Sequence, residues 1–311
     1  MTATRFSTPL RLGTRGSPLA LAQANMVKSA LIAAHDLADA DIEIVTVKTT
    51  GDVVQDRALA EIGGKALWTK ELDRALGEGE VDFTVHSMKD VETIRPADIA
   101  LVANLPRADV RDRLIGAETV EALPQGARIG TSSPRRAAQL LGLRPDLAIE
   151  TLRGNVATRL AAVESGTIDA TLLAAAGLDR LGHTDLGAAI PVETLLPAAQ
   201  QGAVGIETRA DDPPTRELIA AINHDATWQC VEAERALLHA LGADCHSPVA
   251  ALARVDTDAI TLRAELLLHD GSEKVALVAE GPVDDRLDMA RNLGTALLDG
   301  ASPAVRALFA G

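Results

Sequence analysis

The sequence predicts an α/β protein with a mostly parallel sheet, followed by a smaller α+β module. Three observations carry that expectation. Strand-like and helix-like segments alternate from Leu10 to Glu207. One strand-like stretch, Val81–Val85, runs straight into His86-Ser87-Met88-Lys89-Asp90. A Lys–Asp pair is thereby delivered to the carboxyl end of a strand, the edge at which open α/β sheets hold ligands. After Asn223 the texture changes to one long helix and three alternating segments joined by Asp/Thr and Asp-Gly turns, the pattern of an antiparallel sheet.

Leu10-Arg11-Leu12-Gly13 reads as the first strand. Ser17-Pro18 then starts a helix, with Ser as N-cap and Pro in the first turn. Leu19, Ala22, Met26, Ala30 and Ala33 are its expected apolar stripe. Ile42–Val47 is a second strand, and Gly63-Gly64-Lys65 leads toward a helix around Lys70–Leu76. Leu105-Pro106-Arg107-Ala108-Asp109 reads as a domain crossing. Beyond it, strands are expected at Ala127–Gly130, Ala148–Leu152 and Asp169–Ala174, and helices after Pro134, after Asn155 and near Leu178. Pro197–Gly202 reads as a second crossing that returns the chain to the first sheet with Ala203–Glu207. The domains expected are therefore 1–105 with 203–223, then 110–198, then 226–311. The last contains a helix over Ala226–Leu241, a Gly242–Pro248 loop, strands at Val249–Val255, Ile260–Leu268 and Val275–Glu280, and a helix over Asp284–Leu298.

A chain of 311 residues is long for one core, so two or three domains are expected. Aromatic residues are scarce, with two Trp, three Phe and no Tyr, leaving Ala, Leu and Val to fill the interior. A net charge of −14 argues against general nucleic-acid binding. No apolar run reaches about 18 residues, so no membrane span is expected. The N-terminus lacks the layout of a signal peptide, and two Cys in a large chain suit reduced thiols in the cytoplasm. No apolar stripe argues for more than a monomer. Arg outnumbers Lys 24 to 6, and residues 128–159 hold six Arg against two acids, a local +4. Arg forks suit carboxylates and phosphates.

Several strand ends offer hydroxyls or Arg to one edge. Gly130-Thr131-Ser132-Ser133-Pro134-Arg135-Arg136 runs from a strand into a helix, where free N–H groups and the helix dipole favour an anion. Two Arg in that first turn are unfavourable to the helix, and that local cost points to binding. Arg153-Gly154-Asn155 with Arg159, Thr14-Arg15-Gly16-Ser17 and Gly177-Leu178-Asp179-Arg180 repeat the arrangement. The recurrence implies a polyanionic ligand. Gly63-Gly64-Lys65 lacks the remainder of a P-loop and supports only a generic anion contact by Lys65. No Gly-x-Gly-x-x-Gly fingerprint is present, which disfavours a dinucleotide. Cys245-His246 has no partner at metal-ligand spacing, so no metal site is expected. Cys245 reads as an accessible loop thiol and Cys230 as a core thiol, while His86 is as well suited to a structural role as to a catalytic one.

These motifs together resemble the hydroxymethylbilane synthase (porphobilinogen deaminase) family. The likeness runs in order through Thr14–Ala20, Lys48–Asp52, Gly63–Lys65, His86–Asp90, Gly130–Ser133, Arg153–Val156, Gln201–Glu207, Ala233-Glu234-Arg235 and Cys245, and is weaker over the last 60 residues. It implies two α/β domains like the halves of a type II periplasmic binding protein, plus a small α+β domain. It also implies stepwise condensation of four porphobilinogen molecules with loss of ammonia, then hydrolysis to hydroxymethylbilane. The growing chain would be built on a dipyrromethane cofactor attached covalently to Cys245. Asp90 matches the catalytic carboxylate, expected to be buried and to stabilise a cationic intermediate. Ser17, Lys89, Asp90, Thr131, Ser132, Ser133, Arg135 and Arg136 match cofactor-binding positions, and Arg15, Lys65, Arg153, Arg159 and Arg180 match substrate-binding ones. Glu61, Trp68, Glu92, Pro134 and Ala243-Asp244 depart from the pattern, the last implying a stiffer loop. The rival expectation is a non-catalytic two-lobed protein that binds small anions; it accounts for the Arg residues but for neither Cys245 nor Asp90.

Overall fold

The computed structural model describes residues 9–48, 69–244 and 246–309. The chain divides into two compact units. One runs to Arg107 and resumes over Ala203–Trp228; the other comprises Ala108–Gly202 and the chain from Gln229 onward.

The first unit is built on a five-stranded sheet. Its strands are β1 (Leu10–Arg15), β2 (Ile42–Val47), β3 (Phe83–Ser87), β4 (Ile99–Asn104) and β10 (Val204–Arg209), in the spatial order β2-β1-β3-β10-β4. β1 lies parallel to β2 and β3, while β10 runs antiparallel between β3 and β4. The returning segment thus joins the first sheet, as its sequence indicates, but the sheet is mixed. Helix α1 (Pro18–His35) starts at the expected cap: Ser17 accepts a hydrogen bond from Ala20 N–H at 3.3 Å. Its buried face is Ala20, Gln23, Ala24, Val27 and Leu31, not the stripe expected around Met26, which is exposed. An Ala-rich helix is apolar on several sides, so periodicity alone does not choose a face. Here Val27 and Leu31 choose it by packing with Leu12, Phe83, Val204 and Ile206. Helix α2 (Lys70–Gly77) packs Ala75 and Leu76 against Val81 and Ile99.

The second unit carries a sheet of the same design. Its strands are β5 (Asp112–Ile115), β6 (Arg128–Gly130), β7 (Ala148–Glu150), β8 (Ala170–Ala174) and β9 (Ala188–Ala189), in the order β7-β6-β8-β5-β9. β6 is parallel to β7 and β8, and β5 is antiparallel to β8 and β9. Helices α3 (Pro134–Leu143), α4 (Val156–Glu164) and α5 (Ala175–Arg180) follow β6, β7 and β8. Leu114, Ile129, Leu140 and Leu172 are fully buried between them. In each five-stranded sheet the antiparallel strand is the one the chain enters on crossing over. β4, β5, β9 and helix α6 (Pro213–Ala220) were not among the sequence expectations.

The C-terminal module is an antiparallel meander of β11 (Val249–Asp256), β12 (Ala259–Leu267) and β13 (Lys274–Pro282). Leu237, Leu241, Ile260, Leu262, Leu293 and Leu297 form its core, with helices α7 (Asp225–Leu241) and α8 (Arg286–Gly300) supplying the helical side. Cys230 is buried there, as a packed thiol should be. Among the described residues no helix is long and apolar enough to cross a membrane.

Candidate active site

β1 and β3 are parallel neighbours, so their carboxyl ends open on one edge. Arg15 ends β1, and Ser17 caps α1 two residues later. β3 runs to Ser87, two residues beyond the expected end, and then makes a 3₁₀ turn over Met88–Asp90. Arg15, Ser17, Gln23, Thr69, His86, Ser87 and Asp90 line a depression at this edge. Gln23 Nε2 donates to Ser87 Oγ at 2.7 Å, fixing the strand end against α1.

Within the turn Lys89 is half-buried and Asp90 is exposed, which corrects the expectation of a buried carboxylate. The residue that faces inward is Met88, fully buried, whose N–H donates to Ala203 O at 3.1 Å. Met88 fills the space that Gly205 leaves on β10. A Cβ at Gly205 would stand 2.0 Å from Met88 Sδ and 2.9 Å from its Cγ. A 3₁₀ turn of three residues cannot bury all its side chains, so sinking Met88 leaves Asp90 on the open side.

Beneath the turn lies a buried charge network. Glu207 on β10 accepts from Arg95 Nε and Nη2, both at 2.8 Å, and lies 3.3 Å from His86 Nε2. His86 Nε2 is also 2.9 Å from Thr84 Oγ1. Arg95 further contacts Glu92 at 2.6 Å and Asp73 at 2.5 Å, and Glu92 accepts from Thr69 Oγ1 at 2.8 Å. Burial pushes the Glu207 carboxyl up, but His86 and Arg95 outweigh it and hold the group down at about 2. Asp73 shifts the other way, raised by burial despite Arg95. His86 thus both lines the depression and contacts the interior network.

In the second unit Thr131, Ser132 and Ser133 follow the carboxyl end of β6 and Arg153 lies beyond that of β7, while Arg159 sits within α4 and Arg180 ends α5; of these, Ser132 and Arg159 are in contact. Thr131 is buried, and its Oγ1 accepts from Ser133 N–H at 3.1 Å, bending the chain into α3. Ser133 caps α3 by accepting Arg136 N–H at 3.4 Å, and Asn155 caps α4 by accepting Thr158 N–H at 3.0 Å. Arg159 Nη2 donates to Ser132 Oγ at 3.4 Å and its Nε to Gly154 O at 3.1 Å. Arg180 Nη2 donates to Gly202 O at 2.7 Å, while its Nε is buried without a partner. Neither guanidinium has a carboxylate within ion-pair distance among the described residues. Burial, with Arg136 nearby, pushes Arg159 down to about 10, and burial lowers Arg180 even though Asp179 opposes it.

Arg135 and Arg136 stand apart from this group. Both are buried and grip Asp112 of β5: Arg135 Nη2 at 2.8 Å from Oδ2, Arg136 Nη2 at 2.7 Å from Oδ1. Arg135 Nη1 also donates to Leu196 O, Arg136 Nη1 to Leu172 O, and Gln201 Nε2 to Asp112 Oδ1. Burial raises the Asp112 carboxyl, but the two guanidiniums hold it well below the usual carboxylate range. The inference from two Arg in a first helical turn is corrected accordingly: an internal carboxylate offsets their cost, so their position does not by itself imply a ligand. Asp112 was missed because Arg111 and Arg113 flank it, so it reads as part of a hydrophilic crossing. Arg95 and Glu207 were missed as a pair because 112 residues separate them.

Cys245, Glu61, Lys65 and Trp68 lie outside the described residues. Next to Cys245, Asp244 Oδ1 accepts His246 N–H at 2.8 Å, and Asp244 N–H donates to Ser247 Oγ at 3.1 Å, so the departing Asp makes specific turn contacts. Among the described residues no cluster of His, Cys, Asp and Glu is placed to hold a metal ion.

Comparison with known proteins agrees with the motif order. The family model described as "Porphobilinogen deaminase, dipyromethane cofactor binding domain" matches residues 10–217, and the one for the porphobilinogen deaminase C-terminal domain matches residues 228–299. The porphobilinogen deaminase of Sphingopyxis alaskensis is 58% identical over 97% of this chain and 97% of its own length. That of Paracoccus denitrificans is 49% identical over 95% of both. A solved nutrient binding protein of Burkholderia cenocepacia, bound to methionine, is similar at 17% identity over 68% of this chain and 91% of that chain, with a TM-score of 0.42. Two matched domains in sequence order and close relatives over nearly the full length place the chain in the porphobilinogen deaminase family.

Proposed function

We propose that this chain is a transferase that condenses four porphobilinogen molecules head to tail, releases four molecules of ammonia, and frees hydroxymethylbilane by hydrolysis. The observation that carries the reading is the pair of half-buried guanidiniums, Arg159 on α4 and Arg180 at the end of α5, that have no carboxylate within ion-pair distance among the described residues. A partly desolvated cation in that state is stabilised by an anionic partner. Porphobilinogen carries two carboxylates, and a growing pyrrole chain carries more.

A dipyrromethane on Cys245 fits the same donors, since each of its rings bears carboxylates and Arg180 Nε is a buried donor with no acceptor. When bound, it supplies a free pyrrole carbon as the nucleophile. Ser17, Lys89, Thr131, Ser132 and Ser133 present hydroxyl, amide and ammonium donors to cofactor carboxylates. Arg15, Lys65, Arg153, Arg159 and Arg180 take those of the incoming substrate. Arg135 and Arg136 contribute by fixing the β6–α3 corner and by their field. Asp90 lies at the open rim of its depression, where its carboxylate stabilises the cation left on the substrate as ammonia departs, and accepts the proton released when the coupled ring regains aromaticity. We also infer a cytoplasmic monomer of three domains, 1–105 with 203–223, 110–198 and 226–311, which acts without nucleic acid or membrane.

Intact-mass spectrometry tests this reading. Wild-type protein should exceed its sequence mass by one dipyrromethane, and Cys245→Ala should not. Asp90→Asn should fold and carry the added mass, yet release ammonia from porphobilinogen at least about 100-fold more slowly. Active wild-type protein at its bare sequence mass, or near-normal turnover by Asp90→Asn, overturns it.

A further inference from the structure

Glu207 binds both flanks of the turn that presents Asp90. It is fully buried on β10, the antiparallel neighbour of β3. On the upstream side, His86 Nε2 lies 3.3 Å from its Oε2. On the downstream side, Arg95 Nε and Nη2 reach its two oxygens, each at 2.8 Å. His86 is four residues before Asp90 and Arg95 five after it. A single carboxylate therefore closes a short segment of chain with Asp90 near its middle.

The downstream arm is braced further. Arg95 also contacts Glu92 at 2.6 Å, within the closed segment, and Asp73 on α2 at 2.5 Å. Gathering three carboxylates on one buried guanidinium carries a large desolvation cost, and a packed apolar contact would hold a loop as firmly. What the network adds is direction. Bidentate and charge-assisted contacts fix the angle as well as the distance of the chain they hold.

We propose that Glu207 is a positioning residue for Asp90, acting through His86 and Arg95 as two arms. The proposal rests on Asp90 being the catalytic carboxylate. An exposed carboxylate on a three-residue turn has few contacts of its own to aim it, and a misplacement of about 1 Å in a reacting group can cost about 100-fold in rate. Glu207→Gln preserves size, but in either orientation its NH₂ faces one of the two Arg95 donors, so the fork that fixes the downstream arm is halved.

The test uses the cofactor-loaded enzyme. Glu207→Gln should load dipyrromethane normally by mass, keep KM within about twofold, and lose about tenfold or more in kcat. Arg95→Lys, a milder change that keeps the charge but not the fork, should show the same split to a lesser degree. In an Asp90→Asn background, Glu207→Gln should leave the residual rate within about twofold, because the route through which it acts is gone. Multiplying losses in the double variant, or kcat within twofold of wild type in both single variants, overturns the proposal. So does a loss that vanishes when rates are expressed per loaded, folded molecule. A wild type with neither the added mass nor ammonia release instead overturns the reading of function itself.

Discussion

Arginine residues that look alike in the sequence divide into two kinds in the structure. Arg135 and Arg136 are paired internally with Asp112, whereas Arg159 and Arg180 are partly desolvated with no carboxylate partner among the described residues. Removing a cation of the second kind costs the unliganded fold little and the ligand much. Arg159→Met should leave the melting temperature unchanged or raised, while KM for porphobilinogen rises about 10- to 100-fold, matching the ~1.5–3 kcal/mol of a hydrogen bond to a charged group. Thermal melts and steady-state kinetics on one preparation check both halves. The sequence could not divide the arginines. Residue type and strand-end position are shared by all of them, and what separates them is Asp112, 23 residues before Arg135 and hidden between two Arg. Asp90 was legible as a residue but its environment was not, because which of three turn residues sinks inward depends on the space above Gly205.

Among the elements, three helices with local causes were read correctly, though α6, capped by Asp212 and started by Pro213, was not. Ser17-Pro18, Ser133-Pro134 and Asn155 each start a helix through a cap formed within three residues, and all three caps are present. Two strands held by distant partners were missed: β4 is defined by pairing with β10, and β5 by pairing with β8 and β9. The Met88–Gly205 contact is of this second kind, joining the Asp90 turn to a strand that follows more than a hundred residues later. Gly205→Ala would place a methyl where Met88 Sδ now lies, and Leu101 Cδ1 at 3.0 Å closes another side. Met88 has to move, and Lys89 and Asp90 move with it. Gly205→Ala is expected to lower stability by about 1–3 kcal/mol by overpacking, and to reduce kcat in protein that still folds. In a Met88→Ala background the same change should cost clearly less, since the clash is relieved. Denaturant titration of the four proteins measures this; equal costs in both backgrounds would contradict the wedge.

At the scale of the molecule, a chain of net charge −14 contains a segment of +4, so the remainder carries −18 and attraction for an anionic substrate is concentrated in that segment. Screening weakens attraction over distances of about 10 Å at 0.1 M salt. Raising ionic strength from about 0.05 to 0.5 M should increase KM several-fold and change kcat much less, because in the proposed mechanism Asp90 acts at contact range. Stopped assays across a salt series read this directly, and a KM that falls with salt would contradict it. The two crossings and the return to the first sheet were visible in the sequence as Pro- and Gly-marked interruptions of the alternation. That return has a consequence for how the molecule is made. The second sheet uses strands that are contiguous in the chain, from Asp112 to Ala189, and borrows nothing. The first waits for β10. A ribosome adding roughly 5–20 residues per second needs on the order of 5–20 s to travel from Asn104 to Val204. For that interval β3 and β4 lack the strand that separates them, and His86 and Arg95 lack their common acceptor. The sheet begun first is thus the one completed later, and the contacts that hold the turn bearing Asp90 form only after the strands of the second sheet have been translated.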